Sequence, residues 1–347
     1  MMRLFTALFI FLILCGGPEL YSQMATALHT DNDEGPGRTV KYYYLSDGFQ
    51  KAYQDASDGD TIYLPGGTFP PPLLIEKQLT IYGTGHYPNA TAVTGKTIIN
   101  GTLNLGAGAD NVHIEGVEVT GGIDVANNVS VNYLTVSRSR INGSIYFRGN
   151  KSNPCTGVTF EGCVIAGHLF FSNLVNSGVY NSILMGYISG SEANTFNNNI
   201  IYYTSSPVST SSNNSFNNNI FRVSSNTLLV SSNSEGNYFR YNIIGATAPN
   251  YGTGAQATGN YTGVEFSSVF VNQSGTFFSY DHDYHLISPG TYPGTDETQA
   301  GIYGGIFPYR EAAVPVTPHI TGAAVSPRSD AEGNIQIEIS VEAQESP

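Results

Sequence analysis

The residue types best suited to chemistry in this chain are Asp124, Arg148 and His168, carried by the segments IDV, IYFR and GHLFF. A carboxylate and an imidazole can shuttle a proton beside a glycosidic bond, and a guanidinium can neutralise a neighbouring uronate carboxylate, which is what elimination or hydrolysis of a polysaccharide requires. Tyr146, Phe170 and Tyr187 stand among them. Rings on an exposed strand face stack on sugar rings, and an arginine bridges a carboxylate or sulfate. Tyr146, Arg148, His168, Phe170 and Tyr187 therefore also read as a glycan-contacting surface that performs no reaction.

Other constellations are weaker. DHDYHL brings His282, Asp283 and His285 together, but strand geometry sends His282 and His285 to opposite faces, so no metal site is expected there. Asp281, Asp296 and Glu297 could attract calcium, yet no calcium-loop spacing joins them, and no cofactor is expected. Glu118 and Arg140 align in adjacent repeats, a spacing that reads as an exposed salt bridge. Cys155 and Cys163 remain once Cys15 is set aside in the leader; one disulfide and two buried thiols are both consistent with their placement. No GxSxG, phosphate-loop or dinucleotide motif occurs. With a net charge of −13 the chain lacks the clustered Lys and Arg that neutralise phosphates, which sets nucleic acid aside.

These candidates sit inside a repeat. The template is apolar, any, apolar, four spacers, apolar, any, Gly, any, apolar, any, apolar. It starts at Val112, Leu134, Val158, Ser177, Asn194, Asn214 and Asn237, at intervals of 22, 24, 19, 17, 20 and 23 residues. Period-two alternation within each unit indicates short strands, and the odd jump between the second and third apolar positions demands a bend. Units this short cannot bury their own apolar face; stacked at about 4.8 Å per layer they form a continuous core. The pattern predicts an all-β, single-stranded right-handed parallel β-helix. In register, Asp124, Tyr146 and Phe170 share one outward row, with His168 and Tyr187 two positions before it. The bend carries Val117, Ser139, Cys163, Ser182, Asn199, Asn219 and Asn242, so the FNNNI segments predict a ladder of stacked asparagines at Asn199, Asn219 and Asn242, in left-handed turn conformation. Phe196, Phe216 and Phe239 should stack inward beside them.

The ends need covering, because open strand edges invite aggregation. Ser46 or Asp47 can cap a helix with an apolar face of Phe49, Ala52, Tyr53 and Ala56, lying over the first coil. Phe266–Val271 reads as a further strand, and DHDYHL as a closing strand with Tyr284 and Leu286 inward. Beyond Pro315, Ile335, Ile337, Ile339 and Val341 alternate and could form a hairpin with Val325. That hairpin is expected to pack on the solenoid, to engage a protein partner, or to mark a shortened domain. The apolar run LFTALFIFLIL after Arg3 suits a secretory leader, residues 1–22, and no later run is long enough to span a membrane. Lipid attachment at Cys15 would set Leu14 where a small residue is normally wanted. The expected organisation is leader 1–22, linker 23–45, β-helix 46–310 and C-terminal linker with hairpin 311–347.

AYQDASDGDTIYLPGGTF, coils of the VTFEGCVI type, and DYHLISPG followed by GIYGG together resemble the secreted right-handed β-helix proteins of the pectin-lyase-like superfamily, over residues 46–310. The resemblance implies a fold that carries lyases, hydrolases, tailspikes and adhesins alike. Its polygalacturonase-like members would bring NTD, GDD, GHG and RIK motifs, none of which is present; the nearest fragment is Gly167-His168-Leu169. The expectation is an exported or cell-surface, non-catalytic protein contacting glycans or cell-envelope components. The alternatives are a polysaccharide lyase or glycoside hydrolase with an unfamiliar site, or a structural spacer or adhesin.

Overall fold

The computed structural model describes residues 25–30, 39–224, 228–231 and 233–343. The expected leader, residues 1–22, and Cys15 lie outside them. The repeat folds into a parallel β-solenoid of about ten coils, with three long sheets running along it: sheet A of twelve strands, sheet B of ten and sheet C of six. Adjacent coils pair in parallel with equivalent residues opposite one another, as in Phe196↔Phe216↔Phe239 on sheet A and Asp124↔Tyr146↔Phe170 on sheet C. Alternation turns the central residue of each sheet A triplet inward, from Ile62 to Phe239, and these side chains are buried. Phe196, Phe216 and Phe239 stack with centroids 4.9 Å apart at each step and planes within 9°. Each pair contributes about 0.5–1.5 kcal/mol beyond area burial.

The three asparagines of each FNNNI segment divide the work of the turn. Asn197 and Asn217 end a strand and face outward, and Asn217 Nδ2 donates a hydrogen bond to Asn197 Oδ1 at 2.9 Å. The left-handed conformation falls on Asn198 and Asn218, at φ 57° and 58°, not on the ladder residues where the sequence had suggested it. That reversal swings the next side chain inward, and Asn199, Asn219 and Asn242 form the ladder, with Asn260 below. In each step the lower Oδ1 accepts the backbone N–H of the coil above, and Ser182 N–H reaches Asn199 Oδ1 at 2.9 Å to start the series. A second buried ladder, Asn194, Asn214 and Asn237, bonds at the entrance to sheet A. These residues begin the repeat units, and the period alone reads them as boundaries.

Helix α1, Gly48–Asp55, closes the N-terminal end with Phe49 and Ala52 buried, Ala56 just beyond its end, and Tyr53 packed at the margin. Asp47 occupies the capping position without a side-chain cap bond; it pairs instead with Lys51 at 2.8 Å. The stretch read as a linker contributes two strands, Thr26–Thr30 and Thr39–Tyr43. They pair antiparallel with each other and continue sheet A beyond Thr61–Tyr63, so an edge that would stand open is extended by a hairpin.

Downstream of the last coil the chain doubles back. Residues 264–315 form a strap along the outer face of sheet B. Each sheet B pair has its second residue in the solenoid core (Ile165, Leu184, Ile201, Phe221, Ile244) and its first outside (Val164, Ile183, Ile200, Ile220, Ile243). The outside row is nonetheless buried, against Phe270, Tyr284, Leu286 and Ile302 of the strap. Phe266–Ser268 is a 3-10 turn and the expected strand begins only at Phe270, pairing antiparallel with Asp283–Leu286. The strap ends where Val316 N–H donates to Glu115 Oε1 at 2.7 Å. Beyond it His319–Val325 and Ile337–Glu342 form the expected hairpin, with Val325, Ile337, Ile339 and Val341 exposed. Among the described residues no helix is long and apolar enough to cross a membrane.

Candidate functional site

The outer face of sheet C carries the residues singled out from sequence. Ile123, Val125, Ile145, Phe147 and Leu169 point inward, so alternation presents Asp124, Tyr146 and Phe170 outward in three successive coils. The Tyr146 and Phe170 rings stack face to face, with centroids 4.7 Å apart and planes 4° from parallel. Arg148 lies 4.2 Å from the Tyr146 centroid. Its Nε donates to Asp124 Oδ1 at 2.9 Å and its Nη2 to Oδ2 at 3.0 Å. The hydrogen bonds to Asp124 raise the guanidinium pKa above its ordinary value.

The rest of the set lies two positions earlier in its coils, just before the sheet C strand. His168 and Tyr187 stack at 4.0 Å and 29°. Phe170 meets both edge-on, Tyr187 at 5.6 Å and His168 at 6.0 Å. Tyr203, which the repeat template passes over because its unit diverges after Tyr202, extends the patch to 5.4 Å from Tyr187. The row then fades into Ser189 and Ser209. All five rings are partly exposed.

The proposed reactive groups are internally engaged. Both oxygens of Asp124 accept from Arg148. His168 Nδ1 accepts the Tyr187 backbone N–H at 3.2 Å, which leaves the ring proton of the neutral form on Nε2, and burial lowers the imidazole pKa. The arrangement is a partly exposed ridge of aromatic rings with a guanidinium at one end.

Elsewhere the sequence pairing of Glu118 with Arg140 is replaced. The two do face each other across coils, but Glu118 bonds Lys96 at 2.6 Å and Asn142 at 3.0 Å. Burial would raise the Glu118 carboxyl; these bonds outweigh it and hold the pKa low. Arg140 lies over the strap rings Phe278 and Tyr280 at 5.6 and 5.2 Å. Cys155 and Cys163 are free and buried. Burial pushes the Cys163 thiol up to about 12, and its position in the turn row has it facing the Val136 carbonyl at 3.3 Å. His282 bonds Tyr284 through Nδ1, whereas His285 stacks on Tyr303, so the two do not converge. Among the described residues no group of three or more His, Cys, Asp or Glu side chains converges on a metal-sized space.

No family model, curated protein or solved structure matches the chain. Its class therefore rests on its own architecture: a parallel β-solenoid with an aromatic outer row.

Proposed function

We propose that this chain is an exported, non-catalytic β-helix protein of the pectin-lyase-like type that contacts a polysaccharide or cell-envelope glycan through the outer face of sheet C. The observation that carries the reading is the partly exposed, stacked Tyr146–Phe170 pair with Arg148 over its end. A row of partly exposed rings can pack against the apolar faces of sugars without a deep cleft. The mutual engagement of Asp124 and Arg148 supports binding over reaction, because a general acid or base must have an oxygen free for the substrate.

A polysaccharide panel tests it, with binding, newly formed unsaturated ends and reducing ends recorded together. Binding without products, lost in the Tyr146→Ala, Phe170→Ala double variant, is the expected outcome. New ends of either kind would overturn the non-catalytic reading, and retained binding in the double variant would remove the platform.

A further inference from the structure

The outer face of sheet A holds a second, separate pocket. Its first outward row runs Thr135, Thr159, Gly178 and Thr195 through successive coils, so one coil lacks the side chain its neighbours carry. A Cβ at Gly178 would sit 2.2 Å from the Tyr180 ring. The missing side chain therefore lets that ring fold flat across the backbone, where a threonine would hold it upright. In the next row Glu161 precedes Tyr180 in register and Asn197 follows it. The strap supplies the opposite wall through Asp296, Ile306 and Phe307, closing a volume of about 330 Å³. That is the low end of small-ligand sites.

Two features of this pocket bear on what it could hold. Glu161 is only partly exposed, yet no hydrogen bond or ion pair reaches its carboxylate among the described residues; nearby Arg138 is bonded to Glu115 at 3.0 Å. Burial pushes the Glu161 carboxyl up, against the pull of the Arg138 and Arg310 charges. Ile306 and Phe307, 79% and 51% exposed, form an apolar rim beside that carboxylate.

We propose that this pocket binds a single pyranose bearing an amino group. Tyr180 is the stacking floor, Glu161 pairs with the ammonium, and Phe307 closes over the ring. Glu161 and Asp296 with no lysine or arginine in the lining disfavour uronates and sulfated sugars. This selectivity is opposite to that of the Arg148 end of sheet C, and the site stands independently of whether sheet C binds a glycan.

The test is titration of the full chain with glucosamine, N-acetylglucosamine and glucuronate, followed by ligand-observed NMR. Saturable glucosamine binding is expected, with N-acetylglucosamine weaker and glucuronate without effect. Glu161→Gln, an isosteric change, should weaken glucosamine by about tenfold or more, because it removes a charge-assisted bond. Tyr180→Ala should weaken both amino sugars. The Tyr146→Ala, Phe170→Ala variant should leave glucosamine binding unchanged. Absence of saturable glucosamine binding, equal binding of glucuronate, or full affinity in Glu161→Gln would each overturn the proposal.

Discussion

Asn219 Oδ1 accepts two bonds from Asn199 in the coil above, from the backbone N–H at 2.9 Å and from the side-chain amide at 3.0 Å. Its own amide donates to Phe196 O and to Asn242 Oδ1. The side chain thus ties three coils at a point from which water is excluded. Asn219→Ala would leave several buried polar groups unpaired and should cost about 3 kcal/mol or more. Asn197→Ala removes one outward amide bond and should cost under about 1 kcal/mol. Denaturant midpoints compare the two, and equal losses would show that the ladder carries no special weight.

The Asp124–Arg148 bridge suggests a substitution that separates binding from catalysis. Asp124→Asn takes away the carboxylate that occupies the guanidinium, while the exposed pair itself contributes at most about 1 kcal/mol to stability. Affinity for acidic polysaccharides should rise in this variant, and affinity for neutral ones should stay level. Production of new sugar ends by the parent chain and not by the variant would instead make Asp124 an acid or base.

Cys155 and Cys163 should resist thiol reagents in the folded chain at neutral pH, since burial raises both thiols and the thiolate is the reacting form. Peptide mapping after alkylation should find both unmodified without denaturant and both modified with it. A Cys155–Cys163 disulfide peptide would contradict the free, buried placement.

Glu115 and Glu161, two strands apart on sheet A, should shift stability with pH in opposite directions. Burial alone would raise Glu115, but hydrogen bonds from His113 and Val316 and the charge of Arg138 outweigh it, so its folded pKa lies below the ordinary carboxylate range. Its contribution is full above the unfolded pKa of about 4.3 and is lost as pH falls through the folded value. Glu161 is raised, so its charge penalises the folded state at neutral pH, and the penalty vanishes as protonation completes in acid. Glu115→Gln should therefore lower Tm at pH 7 and Glu161→Gln should raise it, with the Glu161 difference shrinking as pH falls toward 4 and the Glu115 difference shrinking only below about 4.3. A drop in Tm for Glu161→Gln at pH 7 would contradict the unpaired carboxylate.

The strap and the hairpin should differ sharply in what they hold. Removing residues 321–347 deletes a hairpin whose described apolar side chains, Val325, Ile337, Ile339 and Val341, are exposed, and should change stability by about 0.5 kcal/mol or less. Ile220→Asp, an outward residue of sheet B buried under the strap, should unfold or aggregate the chain, because it places an unpaired charge in an apolar contact. Thermal melts and size-exclusion profiles of both variants check this; a tolerated Ile220→Asp would mean the strap does not lie on sheet B.

What the sequence determined by itself was local and periodic. Alternation sets which side of a strand each residue faces, and the repeat sets which residues stack. The inward phenylalanines, the Asn199–Asn219–Asn242 ladder and the Asp124–Tyr146–Phe170 row were therefore all legible before any coordinates. Only the tertiary structure decided which outward faces stay open. The strap that buries Ile183, Ile200 and Ile220 comes from a part of the chain outside the repeat, and no period encodes its path. The same holds for Lys96 taking Glu118 from Arg140 and for Asp296 and Phe307 closing a pocket over Tyr180. Side-chain direction is a property of neighbouring residues, whereas burial depends on whichever distant segment comes to lie across them.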